Sequence, residues 1–379
     1  MTASFRMSVV GDISFEGSHA DHPNLDCFAD VGMIFRAADL VVANLECALT
    51  HGGTIIPGKC TLRGSPQWAP VMRRAGIGLV ALANNHIMDY GIEGLSSTLD
   101  ALSRAGIQAV GAGMNRHEAC SPLFVDVGGR RIAFLARSSV IVSAPTYAGE
   151  EAPGVAFLDP EETISTIRSC RAQADLVILL IHWGLEEYSY PSPTQRQLAR
   201  RFVDAGANAI LGHHPHVLQG FESYKSAPIA YSLGNFVFDE FEWSFTSSNR
   251  PALTQRSTLS PANRQGLVAT LEWNVVERPT LEVTCTTIDS DGRVRVDADP
   301  ARCAAVDALS AVMHRRWYER SWPLYAMYRE WRLRICGPLS FRRLATNLHR
   351  VRLRHVRDLA TSLRRSARIV AEKTTNPYE

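Results

Sequence analysis

Gly212-His213-His214-Pro215-His216 places three imidazoles within four residues, directly after the apolar run 207–211. Neutral imidazole is the commonest metal ligand, and the His214/His216 pair can turn two ring nitrogens toward one cation if the loop curls around it. Alone, the stretch is equally a polar surface turn built on Pro215. Four other positions change that balance. Asp12 follows the run 7–10, Glu46 follows 39–43, Asn85-His86 follows 78–82, and His182 follows 176–181 directly. Each run is apolar and β-prone, as a buried strand requires. Singly, Asp12 or Asn85 is a turn or cap residue, and His182 is a satisfied structural histidine. Jointly they set carboxylate, amide and imidazole groups at the C-terminal ends of five strands, where an α/β sheet forms its ligand crevice.

Asp12, Glu46, Asn85, His182, His214 and His216 are therefore the expected metal ligands. Mixed oxygen and imidazole donors without thiolate suit manganese, iron or zinc. Two divalent ions roughly 3.5–4 Å apart, with a bridging carboxylate such as Glu46, can activate water and stabilise both oxygens of an in-line displacement. His86 stands three residues before Asp89, a spacing that suits a general acid whose ring a carboxylate orients. Asn44, Trp183, Glu186 and His213 stand near the ligands in sequence, Asn235 follows Leu233-Gly234 after the apolar run 228–232, and these five are the expected substrate contacts. For Trp183 and Glu186 the plainer role is loop packing, and for Asn235 a turn.

The elements that must position these groups alternate in type. Helical patterns over 68–75, 94–105, 159–172 and 194–205 separate the strand runs, and a hairpin is expected at 123–135 around Gly128-Gly129. This alternation predicts an α/β sandwich around buried strands. The polar, turn-rich stretch 240–263 is expected to be a mobile loop, either a lid or a disordered segment. There is no internal repeat.

The chain has 379 residues, 46% hydrophobic and 21% charged, which is ordinary globular composition. Its net charge of +2 hides an asymmetry, because residues 314–373 hold 16 Arg and Lys against 4 Asp and Glu. Two domains are expected: a body over 1–298 and an arginine-rich helical extension over 299–379, with helices at 317–335 and 339–370. The plain reading of the extension is a solvated basic face. The sharper one is contact with anionic lipid, an acidic polymer or a membrane-bound synthase complex. Nucleic acid is not expected, since no recognised binding motif occurs. Eight scattered cysteines without a Cys-x-x-Cys pair resemble neither a zinc knuckle nor a disulfide framework, so a reducing compartment is expected. The sequence shows neither a signal peptide pattern nor a run approaching ~18–20 apolar residues. The expected location is cytoplasmic or peripheral to the inner face of the membrane.

Six segments in order, Gly11-Asp12-Ile13-Ser14, Asn44-Leu45-Glu46, Asn84 to Gly91 (NNHIMDYG), Ile181 to Glu186 (IHWGLE), Gly212 to Gly220 (GHHPHVLQG) and Tyr231 to Phe236 (YSLGNF), resemble the CapA family of bacterial capsule or poly-γ-glutamate synthesis proteins. That family is related to the calcineurin-like metallophosphoesterases. The resemblance covers roughly residues 5–275. It implies a four-layer α/β/β/α sandwich with a two-metal centre. Carried over by position, Asp12 holds one metal and Glu46 bridges. Asn85, His182 and His214 hold the second, His216 returns to the first, and His86 is the acid. Two departures weaken the first site: Ser14 stands where the wider pattern has histidine, and the bridge is Glu46 where it has aspartate. His19, His22 and His51 are the candidates to complete that site. Many members also carry an N-terminal membrane anchor, for which the basic extension is the expected substitute. The resemblance implies a metal-dependent hydrolase of a phosphoester or polymer linkage in capsule or exopolymer formation. The alternatives are a non-catalytic accessory component of a synthesis or export complex, and a general cytosolic phosphodiesterase.

Overall fold

The computed structural model describes residues 4–56, 59–140, 146–247, 250–274 and 279–332. Two sheets stack face to face. In chain order the strands are β1 (Phe5–Ile13), β2 (Leu40–Leu45), β3 (Ile77–Ala81), β4 (Gln108–Val110), β5 (Leu123–Val127), β6 (Arg130–Ser138), β7 (Leu176–His182), β8 (Ala209–His213), β9 (Phe221–Tyr224), β10 (Ala227–Ala230), β11 (Asn235–Val237), β12 (Phe241–Ser247), β13 (Arg250–Ser257), β14 (Gln265–Trp273), β15 (Pro279–Ile288) and β16 (Val294–Val296). The first sheet runs β16-β15-β14-β1-β2-β3-β4, with β11 also pairing β1. The second runs β9-β10-β8-β7-β6-β5. Within the first sheet β1, β2, β3 and β4 are mutually parallel, and within the second β6, β7, β8 and β10 are. The carboxyl ends of both parallel sets therefore open on one crevice.

Helices cover the outer faces: α1 (Trp68–Ala75) and α2 (Gly91–Ala105) on the first sheet, α3 (Pro160–Arg171) and α4 (Pro193–Ala205) on the second. The fold is the expected four-layer α/β/β/α sandwich. Local chemistry sets the helix starts. Asp159 caps α3 by accepting from Glu162 N–H, and Ser192 and Gln195 form a capping box on α4, each ahead of a proline at the first helical position.

Strand alternation divides the core. Leu176, Ile178 and Leu180 of β7 face the space between the sheets, while Val177, Leu179 and Ile181 face the outer helices. Helix α5 (Pro300–Met313) runs against β9 and β15, with Val306 in the inter-sheet core and Met313 reaching the outer face, where α6 (Tyr318–Trp331) also lies and buries Tyr318, Trp322 and Ala326. The sequence reading placed helix from 317 and missed α5. The second predicted helix, 339–370, lies outside the described residues. Basic Arg196 ties α4 to this region by donating to Met313 O at 2.7 Å.

Two expectations are corrected. The stretch 240–263 is not an irregular loop, because β12 and β13 pair antiparallel from Phe241↔Ser257 to Ser247↔Arg250. Phe241-Glu242-Trp243-Ser244-Phe245 alternates apolar and polar, which is a strand pattern. Cys285 on β15 and Cys303 on α5 form a disulfide, against the expectation of unpaired cysteines. Their partnership depends on α5 returning to β15, which sequence spacing does not show. Cys27, Cys47, Cys60, Cys120 and Cys170 are free thiols.

Candidate metal centre

Asp12 stands at the end of β1 beside Asn44 of β2. Its Oδ1 accepts from Asn44 Nδ2 at 2.9 Å, and its Oδ2 accepts from the His214 backbone N–H at 3.2 Å. His213 Nδ1 lies 3.1 Å and His216 Nδ1 3.5 Å from its oxygens. Burial alone would raise the pKa of Asp12, but His213, His216 and Asn44 outweigh it and hold the carboxyl below its usual value.

Glu46 is fully buried just past β2, and neither carboxylate oxygen has a hydrogen-bond partner. Its Oε1 is 3.4 Å from His182 Nε2 and 3.6 Å from His216 Nε2. Burial, and then repulsion from Asp12, push its pKa well above the usual range. An uncompensated buried carboxylate is costly in a folded protein, and a bound cation removes that cost.

His182 closes β7. Its Nε2 lies 2.8 Å from Asn85 Oδ1, and its Nδ1 3.4 Å from Asn44 Nδ2. Burial and the neighbouring imidazoles press its pKa well below the ordinary histidine value, and burial takes His214 down to about 4. Both shifts favour the neutral ring, the form that binds metal. His214 Nδ1 is buried without a partner.

The donor atoms fall into overlapping groups. Those of Glu46, His182 and His214 lie within 4.8 Å of one another, as do those of Asp12, Glu46 and His216, and those of Glu186, His214 and His216. Glu46 is common to the first two. Asn85 reaches the first through His182. All six expected ligands therefore meet. The residues fit a metal centre on two observations: the orphaned Glu46 and His214 atoms, and an oxygen-plus-imidazole donor set without thiolate.

Backbone geometry aims these groups. His214 and His216 adopt φ of 96° and 56°, left-handed values rare for side chains with a Cβ. The strain is held from outside: Glu187 N–H donates to Pro215 O at 2.8 Å, and Asn263 Nδ2 donates to His216 O at 3.1 Å. Gly212 allows the close approach of the Tyr231 segment, because a Cβ there would lie 2.1 Å from Tyr231 O.

His86 lies at the rim. Its Nδ1 is 2.7 Å from Asp89 Oδ2, which leaves Nε2 as the ring nitrogen available to the cleft. Asp89 is itself fixed by Leu62 N–H at 2.8 Å and by the buried Lys59 ammonium, which also binds Asn85 O. Burial lowers the His86 pKa, with Lys59 acting in the same direction and Asp89 against it. Lys59 escaped the sequence reading because its loop carries no periodicity. Asn84 escaped it too. Its Oδ1 accepts from His86 and Ile87 N–H, each at 3.1 Å, and its Nδ2 donates to Leu45 O, tying this turn to the strand that presents Glu46.

A cavity of about 260 Å³ opens over the centre, its lining combining the polar His86, Glu186, His216 and Asn235 with the apolar Phe238, Phe241, Trp243 and Leu259. Of the five expected substrate contacts, Glu186 and Asn235 line it. Trp183 does not: it is buried on the outer face of the second sheet, its indole N–H donating to Tyr231 O at 3.2 Å. It continues the parity of Val177, Leu179 and Ile181. Asn44 and His213 are buried behind Asp12 and orient it. Ser14 is not replaced as a ligand. His19 packs on Trp68 with its Nε2 3.2 Å from Gly292 O, and His22 and His51 are exposed.

A two-sheet α/β sandwich with a candidate metal centre at the shared strand ends is the class that fold and site define. Residues 6–240 match the model of the bacterial capsule synthesis protein PGA_cap, and the chain belongs to that family. It is 38% identical over 232 residues to PGA biosynthesis protein CapA of Bacillus subtilis (strain 168), covering 60% of each chain. It is 39% identical over 198 residues to capsule biosynthesis protein CapA of Bacillus anthracis, covering 51% of this chain and 47% of that one. A probable polyglutamine synthesis accessory protein of Mycobacterium tuberculosis is 32% identical over 217 residues, covering 54% of this chain and 57% of that one. The chain thus spans about half to three-fifths of the length of these relatives. Among solved structures, NAD nucleotidase of Haemophilus influenzae is similar at a TM-score of 0.41 and 14% identity, covering 81% of this chain and 62% of that one.

Proposed function

We propose that the chain is a metal-dependent hydrolase of a phosphoester or an anionic polymer linkage, acting in capsule, poly-γ-glutamate or exopolymer synthesis. The observation that carries the reading is Glu46: a fully buried carboxylate, both oxygens unpartnered, shared by two groups of convergent donor atoms. Asp12, Glu46 and His216 would hold one divalent ion, and Glu46, Asn85, His182 and His214 the other, with manganese, iron or zinc the fitting elements. When bound, such ions supply charge neutralisation and an activated water.

The residues of the chain do the rest. Asn44 and His213 hold Asp12 in place. Glu186 and Asn235 meet the substrate at the cavity wall, while the apolar Phe238, Phe241 and Trp243 in the same lining restrict water. Water oxygen forms the new bond as the ester or polymer bond breaks, the leaving group takes the Nε2 proton of the His86 imidazolium, whose Nδ1–H stays on Asp89, and the proton given up by the water restores that imidazolium. Asp89 keeps that ring oriented, and Lys59 keeps Asp89 oriented.

The test is His86→Ala, read as turnover of bis(p-nitrophenyl) phosphate beside metal content. Loss of about 10²–10⁴ in rate at unchanged metal content is the expected result. Full turnover in the variant would remove His86 from the chemistry. A second reading, a non-catalytic accessory component of a synthesis complex, is favoured by the name of the mycobacterial relative. It would gain if His86→Ala left polymer formation intact in cells while removal of residues 333–379, which spares α5 and α6, abolished it.

A further inference from the structure

Helix α6 is apolar on two flanks, and the fold covers one of them. Tyr318, Trp322 and Ala326 are buried, with Tyr188 and Tyr190 packed against this side. Trp317, Leu324, Met327 and Tyr328 stand on another flank at 42–69% exposure. Beside them runs a groove of about 450 Å³ whose lining includes Tyr190, Val312, Trp317, Leu324, Tyr325 and Tyr328. A helix that is apolar all round is normally buried all round, and a contiguous exposed apolar patch marks an interaction site.

Charge selects the occupant. Arg315, Arg316, Arg320 and Arg332 are exposed around the patch, with Glu319 in opposition. The chain then continues through residues 333–379, which hold eleven Arg and Lys against three Asp and Glu. A second copy of the chain would bring the same positive charge to the contact, and so would the chain's own tail folded back over the groove. Both meet like-charge repulsion. Tryptophan and tyrosine at the level of lipid headgroups, aliphatic side chains below them and arginines beside them are the composition of a membrane-surface helix. We propose that the Trp317–Tyr328 flank of α6 docks on an anionic lipid surface.

Docking would also place the cleft. The same helix clamps the loop that follows β7. Tyr188 Oη donates to Glu330 Oε1 at 3.1 Å, Ser189 N–H donates to Tyr325 Oη at 2.8 Å, and Arg329 donates to Glu187 O. Glu186 and Glu187 of that loop line the cavity over the metal centre. The lipid-facing flank and the cleft wall are therefore joined through one short, hydrogen-bonded segment. The inference stands on the exposed flank of α6 and the charge around it, and does not depend on hydrolysis or on bound metal.

The experiment is co-sedimentation of the full chain with vesicles of phosphatidylcholine alone or of phosphatidylcholine with an equal part of phosphatidylglycerol. It is run at low and at physiological salt, for the natural chain, for Trp317→Ser/Leu324→Ser/Tyr328→Ser, and for Arg315→Gln/Arg316→Gln/Arg320→Gln. The expected result is binding to the anionic vesicles only, weakened on the order of tenfold in the apolar variant and weakened further by salt in all chains. Both variants alter exposed side chains and keep the tail. Equal binding by the apolar variant would therefore overturn the proposal and assign the affinity to the tail. Absence of binding by the natural chain, or loss of the patch into a dimer in solution, would overturn it as well.

Discussion

At the ends of β1, β2, β7 and β8 the fold buries Asp12, Glu46, His182 and His214, with both Glu46 oxygens and His214 Nδ1 lacking partners. On α6 it does the reverse and leaves Trp317, Leu324, Met327 and Tyr328 in water. Between the sheets the chain follows the ordinary rule, with aliphatic strand residues packed against one another. Both exceptions lie where a group from outside would complete the protein: a cation among orphaned donors in one place, an apolar phase against uncovered side chains in the other. The difference also separates two kinds of cost. Burying unpaired polar atoms lowers stability until a ligand arrives. Exposing apolar atoms costs stability little and solubility more.

Two tryptophans on one helix sharpen the contrast. Trp322 is 3% exposed and Trp317 is 53% exposed. Trp322→Ala should destabilise the protein by about 3–5 kcal/mol in urea unfolding, because a packed aromatic leaves a cavity. A loss below about 1 kcal/mol would mean that α6 is not part of the folded core.

Next in size is the ion network under the second sheet. Glu222 accepts from Arg196 Nε at 3.1 Å, from Arg200 Nε at 2.7 Å and from Tyr231 Oη at 3.0 Å. Burial alone would raise its pKa, but the two guanidiniums outweigh it and hold the carboxyl below the usual range. A carboxyl depressed in the folded state adds stability above its unfolded pKa and loses it as pH falls through its folded one. Glu222→Gln should cost about 3 kcal/mol near pH 7, since it leaves buried arginine uncompensated, and the difference from the natural chain should shrink below about pH 4. A pH-independent difference would contradict the role given to the pair.

The centre should respond in the opposite sense. In chelator, Glu46→Gln should raise the melting temperature of the metal-free protein, worth about 1 kcal/mol, because it removes repulsion from Asp12 and a buried charge. A lower melting temperature would show that Glu46 is compensated by groups of the chain itself. The smallest effect is expected from Trp317→Ala, within about 0.5 kcal/mol of the natural chain in the same unfolding measurement. That outcome is what distinguishes an exposed docking residue from a core one.

The convergence of Asp12, Glu46, Asn85, His182, His214 and His216 was legible in the sequence because each follows an apolar run, and parallel strands end on one side. The orientation of Trp183 was legible too and was misjudged. Alternation along 177, 179 and 181 carries it to the helix side, away from His182. Lys59, Trp243 and the Cys285–Cys303 pair depend on segments that meet only through the tertiary fold, with no local periodicity to announce the meeting. Helix α5 was obscured by its small residues, Ala301, Ala304, Ala305 and Ala308, which give helix propensity without a strong apolar stripe. The loop expectation for 240–263 is overturned because the alternation of Phe241, Trp243 and Phe245, a strand pattern, outweighs the polar composition around it.

The measurement that bears most directly on the central claim is metal content per chain by elemental analysis, for the natural chain and for Glu46→Ala, His214→Ala and, as a control outside the cleft, Trp317→Ala. The account predicts about two equivalents of manganese, iron or zinc in the natural chain and in Trp317→Ala, with loss in the other two. A natural chain that binds no metal even after reconstitution, or a Glu46→Ala variant that retains its full complement, would contradict it.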